Sequence, residues 1–447
     1  MSERSKAELS RAIRLPHATA MVVGTIIGTA IFVQPSEVTG RVPSLTGAAL
    51  VWLVAGGLTL IGALVTAELA STFPESGGVY AFLRESFGGW LGFLWGWAMF
   101  WVMHSGIIAA LGVVFARYVA YFYPLGDMGI KAVAIGSILM LSAVNYFGVK
   151  PGTSLQTFIT LGKVLAILLI ITLGFAFGSR LDDHFVTGNI QSSESSLSNF
   201  LLAMVAGLFT FGGWHMVTYN SEETIEPRKT IPRALIFGTL IVTFCYMGMN
   251  LVYMYILPLD KLATSSRIAA DAADALFGFG GGAFMSGLVV FSTIGALTGI
   301  ILAGPRVYYA MAQDQLLFRW MGEIHSQYQT PAKAIAAQGI WSSVLVVTGT
   351  YRALFTRVIY TEWIFFGLMA IGLFLLRRRP NVERDYHIWG YPVVPALFII
   401  SSFAIVVNQV IADPGESFFG LFFVLTGLPV YYLWVKKRKG RNSDVDY

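Results

Sequence analysis

The sequence predicts an all-α polytopic membrane protein: twelve transmembrane helices, of which the first ten form a 5+5 inverted repeat and the last two lie outside it. Three observations predict this. Only 12% of the 447 residues are charged and 55% are hydrophobic, whereas a soluble chain carries about 25% charged residues. Uncharged apolar runs of membrane-spanning length recur along the chain. Two of these runs carry glycine-bearing breaks near their centres, Gly24-Thr25-Ile26-Ile27-Gly28-Thr29-Ala30-Ile31-Phe32 and Phe209-Thr210-Phe211-Gly212-Gly213-Trp214. In lipid an unwound backbone persists only where it lines a cavity or a site, and a matched pair of breaks is a pointer to a transporter's binding site.

The spans are expected near residues 17–41, 45–72, 87–122, 128–148, 152–178, 197–221, 232–257, 279–312, 333–350, 353–376, 392–412 and 416–435. Five spans per repeat is an odd number, so the second copy enters the membrane upside-down. The expected units are a first repeat at 1–178, an external loop at 179–196, a second repeat at 197–380, and helices eleven and twelve with a basic tail at 381–447. With the N-terminus inside, 21 of the 30 lysines and arginines fall on the cytoplasmic side and 8 outside, leaving Lys163 within the membrane. The positive-inside rule therefore places both termini in the cytoplasm. The net charge of +5 follows from this topology and implies no nucleic-acid partner. The lone Cys245 rules out an internal disulfide and offers no cysteine-based metal site.

At the first break, unwinding near Gly28 would free the N–H groups of Thr29, Ala30 and Ile31 at the positive end of a half-helix, which suits a carboxylate. A small-residue packing face is the competing reading of the same glycines. At the second break, unwinding at Gly212 and Gly213 would free the carbonyls of Phe209, Thr210 and Phe211, which suit an ammonium group. Phe209 and Trp214 flank that break as rings able to cover a solute, or simply as packing aromatics. Together the two cradles have the polarity of a zwitterionic amino acid.

Lys163 lies in a run with no other charge, and an unpaired charge at such depth costs at least about 2.5–3.5 kcal/mol. It must face the bundle interior and find partners. Glu362 lies only about 7 Å of helical rise from Arg357 and is expected to sit toward the outer end of its helix, where the two can pair. His215 follows the second break and His104 lies mid-span; both read first as hydrogen-bonded packing groups, with His215 also a pocket candidate. Glu68 reads as an inner gate or loop anchor. No phosphate loop, His-Glu-x-x-His motif, Gly-x-Ser-x-Gly motif or potassium-channel filter is present, so no enzyme, metal or cofactor chemistry is expected.

At these residues the chain resembles the amino acid–polyamine–organocation superfamily, close to its L-type amino acid transporters. The similar stretches are Gly24–Phe32, Ala67-Glu68-Leu69, Pro74–Tyr80, Lys163, Gly207–Trp214 running into Glu222-Glu223, Pro227–Ala234 and Arg306–Ala312. The resemblance implies the inverted-repeat fold and sodium-independent amino acid transport. By position, Thr29, Ala30 and Ile31 beside Gly28 would meet the substrate carboxylate. Phe209, Thr210 and Gly212 would meet the amino group, helped by the Ile26 carbonyl, with Phe209 as the gate. Lys163 would occupy the cation place of sodium-coupled relatives and tie the first helix to Ser292 and Thr293 in the eighth. Two departures stand out: the usual Gly-Ser-Gly run reads Gly28-Thr29-Ala30, and His215 stands where many relatives have Asn. Relatives with a disulfide-linked ancillary subunit carry a cysteine in the loop after the third helix; Tyr123–Ile130 has none, so no such subunit is expected.

The reading that results is a plasma-membrane exchanger of neutral L-amino acids working by alternating access. Proton-coupled uptake through Lys163 is the nearest alternative. A membrane sensor or passive channel on the same fold is the alternative of a different class.

Overall fold

A computed structural model of the chain describes residues 13–74, 77–147, 153–178, 197–278, 280–328, 330–380 and 383–434. The loop expected at 179–196 and the basic tail lie outside the described residues. Among the described residues eleven helices are long and apolar enough to cross a membrane, and Ala332–Thr348 adds a shorter apolar helix at the place of the ninth span. The protein is an all-α, multi-pass membrane protein, and each expected span coincides with one of these helices to within a few residues. The seventh starts earlier than expected, at Pro227. A proline opens a helix readily because its missing N–H would have no partner there.

The first and sixth spans are the two that break at their centres. The first runs as Leu15–Ile26, loses helical geometry through residues 27–29, turns once over Ala30–Phe32 and resumes as Gln34–Arg41. The sixth runs as Leu197–Thr210, opens at 211–213 and continues as a tight helix over Trp214–Glu223. The first span packs on the fifth, the seventh and the 214–223 segment, while the tenth packs on the third, the sixth and the eleventh. The long third span, Gly89–Phe122, is the most enclosed.

Polar ties close the end of the bundle that the charge pattern assigns to the cytoplasm. Ile13 ties the ends of the two broken spans through its backbone, its N–H donating to the Glu223 carbonyl and its carbonyl accepting from Ile225 N–H. Gly78, at φ +50°, lies so close to Thr218 and Tyr219 that a side chain there would collide with both. Next to it, Tyr80 donates to Asp314 at 2.5 Å and Arg84 pairs with the same carboxylate at 2.9 Å. Burial first, then the hydrogen bond to Asp314 and its charge, raises the Tyr80 pKa and keeps the phenol a neutral donor.

Glu68 is fully buried and takes a two-pronged bond from Arg377 at 2.7 and 2.6 Å, plus the Ile388 N–H at 2.8 Å. It anchors the loop between the tenth and eleventh spans. Glu68→Ala would leave the guanidinium and the N–H without their acceptor. Removing one partner of a buried pair costs about 3–5 kcal/mol, so thermal unfolding in detergent should shift down clearly. An unchanged midpoint would show that solvent replaces the anchor.

Candidate functional site

The two breaks face each other. Gly213 adopts a left-handed φ of +92°, and a Cβ there would stand 3.2 Å from the Thr25 carbonyl oxygen. Glycine is required on both counts, conformation and approach. Gly24 has a different duty: any side chain would strike the Thr160 hydroxyl, so this glycine lets the fifth span pack tightly on the first. Gly28 meets nothing closer than 3.9 Å. The packing reading therefore holds for Gly24, and the opening falls just beyond it.

In the first break, the backbone bonds of the new turn start with Phe32 N–H to Thr29 and Val33 N–H to Ala30. The N–H groups of Thr29, Ala30 and Ile31 precede those bonds and point from the positive end of the turn. The Thr29 hydroxyl is buried with no hydrogen-bond partner among the described residues. In the second break, the Phe209 carbonyl accepts one bond, from Gly212 N–H at 3.1 Å, and the Thr210 hydroxyl is spent on Ala206. The Phe209 ring lies against Phe355 at 5.5 Å between centroids. Above this pair opens a cavity of about 220 Å³, lined by Glu37, Arg41, Ala206, Arg352, Phe355 and Glu416 among others. It sits at the ends of the first, sixth, tenth and eleventh spans. Gln34 donating to Tyr351 and Glu37 paired with Arg352 latch the first span to the tenth on the same side.

Lys163 reaches the first break. Its ammonium donates to the Ile27 carbonyl at 3.1 Å, an acceptor that exists because the helix has opened there. The expected link onward to the eighth span is not formed. Thr293 gives its hydroxyl to Val289 in its own helix, and neither Thr293 nor Ser292 bonds to Lys163. A threonine within a helix readily turns back on the carbonyl four residues earlier, which takes its donor out of play.

Three other expectations change. The Ile26 carbonyl is not an open acceptor for an amino group: it already receives Gly28 N–H at 2.6 Å and the Tyr246 hydroxyl at 2.8 Å, which occupies both lone pairs. Glu362 does not pair with Arg357. Residues five apart point about 140° away from each other on a helix, so Arg357 turns outward to Glu416, 2.6 Å from its Nε, while Glu362 turns inward and is buried. Nor is Glu362 near the outer end; it lies eleven residues inside Tyr351, about 16 Å along a helix about 40 Å long.

The two histidines differ. His104 Nε2 bonds the Ile300 carbonyl at 2.8 Å, joining the third span to the eighth. It follows a widened turn at Met99–Met103, a feature common near functional sites. His215 is packed among the rings of Trp95, Trp214, Tyr219 and Phe366, and its Nδ1 has no protein partner among the described residues. Trp214 follows the break directly, its ring 5.1 Å from that of Phe366.

Tyr246 is the residue that sequence reasoning misses. From the seventh span its hydroxyl lies 2.8 Å from the Ile26 carbonyl and 3.2 Å from the Thr210 carbonyl, one donor shared between both breaks. Its only signal is a tyrosine in an apolar helix, which reads as packing. Tyr246→Phe keeps the ring and removes this bridge, leaving the Thr210 carbonyl without its donor at about 1–3 kcal/mol, while the Ile26 carbonyl keeps the Gly28 N–H. Initial uptake in proteoliposomes should fall on the order of tenfold; unaltered uptake would make the bridge incidental.

These features belong together: two half-helix ends of opposite polarity, a fixed cation on one of them, and an aromatic pair beneath a cavity. The amino acid permease family matches residues 13–433, nearly the whole chain. The chain belongs to that family. It is 35% identical to the serine/threonine exchanger SteT of Bacillus subtilis over 96% of its own length and 98% of that protein's. Identity is 31% to the large neutral amino acids transporter small subunit 2 of Homo sapiens, across 96% and 81% of the two chains. The Asc-type amino acid transporter 1 of Mus musculus is 30% identical, across 96% and 82%. This permease is thus an amino acid transporter of the amino acid–polyamine–organocation superfamily, similar to the L-type transporters, and not an enzyme.

Proposed function

We propose that this permease is a sodium-independent exchanger of neutral L-amino acids in the plasma membrane, with both termini cytoplasmic. The substrate carboxylate rests on the N–H groups of Thr29, Ala30 and Ile31. Its ammonium group rests on the carbonyls of Phe209 and Phe211; the latter accepts no hydrogen bond from the described residues. The first five spans and the next five, related by inversion, rock around these breaks.

The observation that carries the reading is the Lys163 ammonium on the Ile27 carbonyl at 3.1 Å. A covalently held cation at the first break supplies the positive charge that a bound sodium ion would otherwise bring to the same carbonyls. Because it stays with the protein, outward return requires a second substrate, which makes exchange the favoured mode. The single cysteine is buried in the seventh span, which supports a carrier that works without a disulfide-linked ancillary subunit.

Uptake into proteoliposomes preloaded with unlabelled amino acid, with sodium or choline outside and with or without an imposed proton gradient, tests the mode. Equal rates in all four conditions are expected. Acceleration by sodium contradicts the role of Lys163, and concentrative uptake driven by protons alone establishes symport instead.

A further inference from the structure

Glu362 is a carboxylate only 4% exposed that forms no hydrogen bond or ion pair with any described residue. Its position relative to the second break follows from helix geometry. Residues 355, 359, 362 and 366 share one face of the tenth span. The ends of that stripe are fixed by ring contacts: Phe355 lies against Phe209, just before the break, and Phe366 lies 5.1 Å from both Trp214 and His215, just after it. Glu362 is therefore level with the unwound residues 211–213.

A group of other buried polar atoms surrounds the same place. The Tyr308 hydroxyl and His215 Nδ1 lack a hydrogen-bond partner among the described residues, and the neighbouring Trp95 indole N–H and Tyr219 hydroxyl have none beyond each other. His215 links them by ring contact at 5.8 Å to Trp95 and 5.8 Å to Tyr219. Tyr219 in turn lies within electrostatic range of Glu362 and of Tyr308. One unpaired buried group is ordinary; several gathered around an unpaired carboxylate beside a binding break call for a polar occupant.

We propose that Glu362, with Trp95, His215, Tyr219 and Tyr308, forms the subsite for the substrate's side chain. It selects neutral amino acids bearing a hydroxyl or carboxamide over apolar ones of similar size. The surrounding groups include both donors and acceptors, and a hydroxyl or carboxamide answers both, whereas an ammonium or guanidinium only donates. A second full charge near Lys163 is disfavoured as well. This inference rests on the transport reading above and names the substrate class of that same site.

The test is the ratio of serine to alanine transport, as kcat/KM, measured in one proteoliposome preparation for the unmodified protein, Glu362→Gln and Glu362→Leu. The unmodified ratio should be about tenfold or more, since a site built to hydrogen-bond a side chain rejects the analogue lacking it. Glu362→Leu should bring the ratio to about one, and Glu362→Gln, which retains an acceptor and the shape, should lower it several-fold. Because a ratio is insensitive to the fraction of folded protein, Glu362→Gln suffices if the leucine variant is unstable. Equal transport of serine and alanine by the unmodified protein, preference for lysine over serine, or a ratio unmoved in both variants overturns this proposal while leaving the carrier reading intact. A protein that moves no amino acid at all overturns both.

Discussion

Lys163→Ala is expected to lower exchange at least about tenfold while leaving a folded, monodisperse protein. The Lys163 ammonium makes a charge-assisted bond to the Ile27 carbonyl, and bonds to charged groups contribute about 1.5–3 kcal/mol each. The effect on function should exceed the effect on stability, because that bond shapes the stretch whose N–H groups are assigned to the substrate carboxylate. Small displacements of a positioning element of this kind cost rate steeply. The bond holds the first span to the fifth alone, so the altered break itself, and not a lost link to the eighth span, should cause the defect. Initial exchange rates alongside thermal unfolding measure both quantities. Adding sodium should not restore the variant. Full activity would show that the lysine is a structural tie whose charge the transport cycle ignores.

The second large effect is expected from Phe209→Ala. The ring closes on Phe355 beneath the 220 Å³ cavity, and its truncation opens the path between cavity and break. Aromatic truncation in a core typically costs about 3–5 kcal/mol, but this ring borders a cavity on one side, so the loss of stability should lie at the low end. Turnover should fall by at least about tenfold, and loaded vesicles should leak substrate without a partner on the far side, as expected when a lid no longer occludes. A raised KM with normal turnover would instead signal an ordinary binding contact and remove the gate assignment.

The architecture is legible in the sequence because bilayer thickness and apolar run length fix the spans with little help from tertiary contacts. The breaks are legible for a related reason: a small, glycine-bearing stretch within a lipid-length run has few uses. What remains hidden depends on angle and partner choice. Distance along the helix alone pairs Glu362 with Arg357, yet rotation about the helix axis sends the two to opposite sides. Ser292 and Thr293 read as partners for Lys163 from their place in the chain, but the threonine hydroxyl is bonded within its own helix. Tyr246 is unremarkable in a 30-residue apolar helix, and only the fold brings its hydroxyl to both breaks. Ile26 illustrates the same limit from the acceptor side, since a carbonyl's vacancy depends on donors far away in sequence.

The central claim is that two broken helices carry an amino acid across the membrane by alternating access in strict exchange. Counterflow tests it most directly. Purified protein in liposomes preloaded with a high concentration of unlabelled serine is given trace labelled serine outside, with no ion gradient. The account predicts transient accumulation of label well above equilibrium and negligible uptake into empty liposomes. Equal, non-accumulating entry into loaded and empty liposomes would identify a channel, and no entry into either would identify a sensor; both results contradict the account.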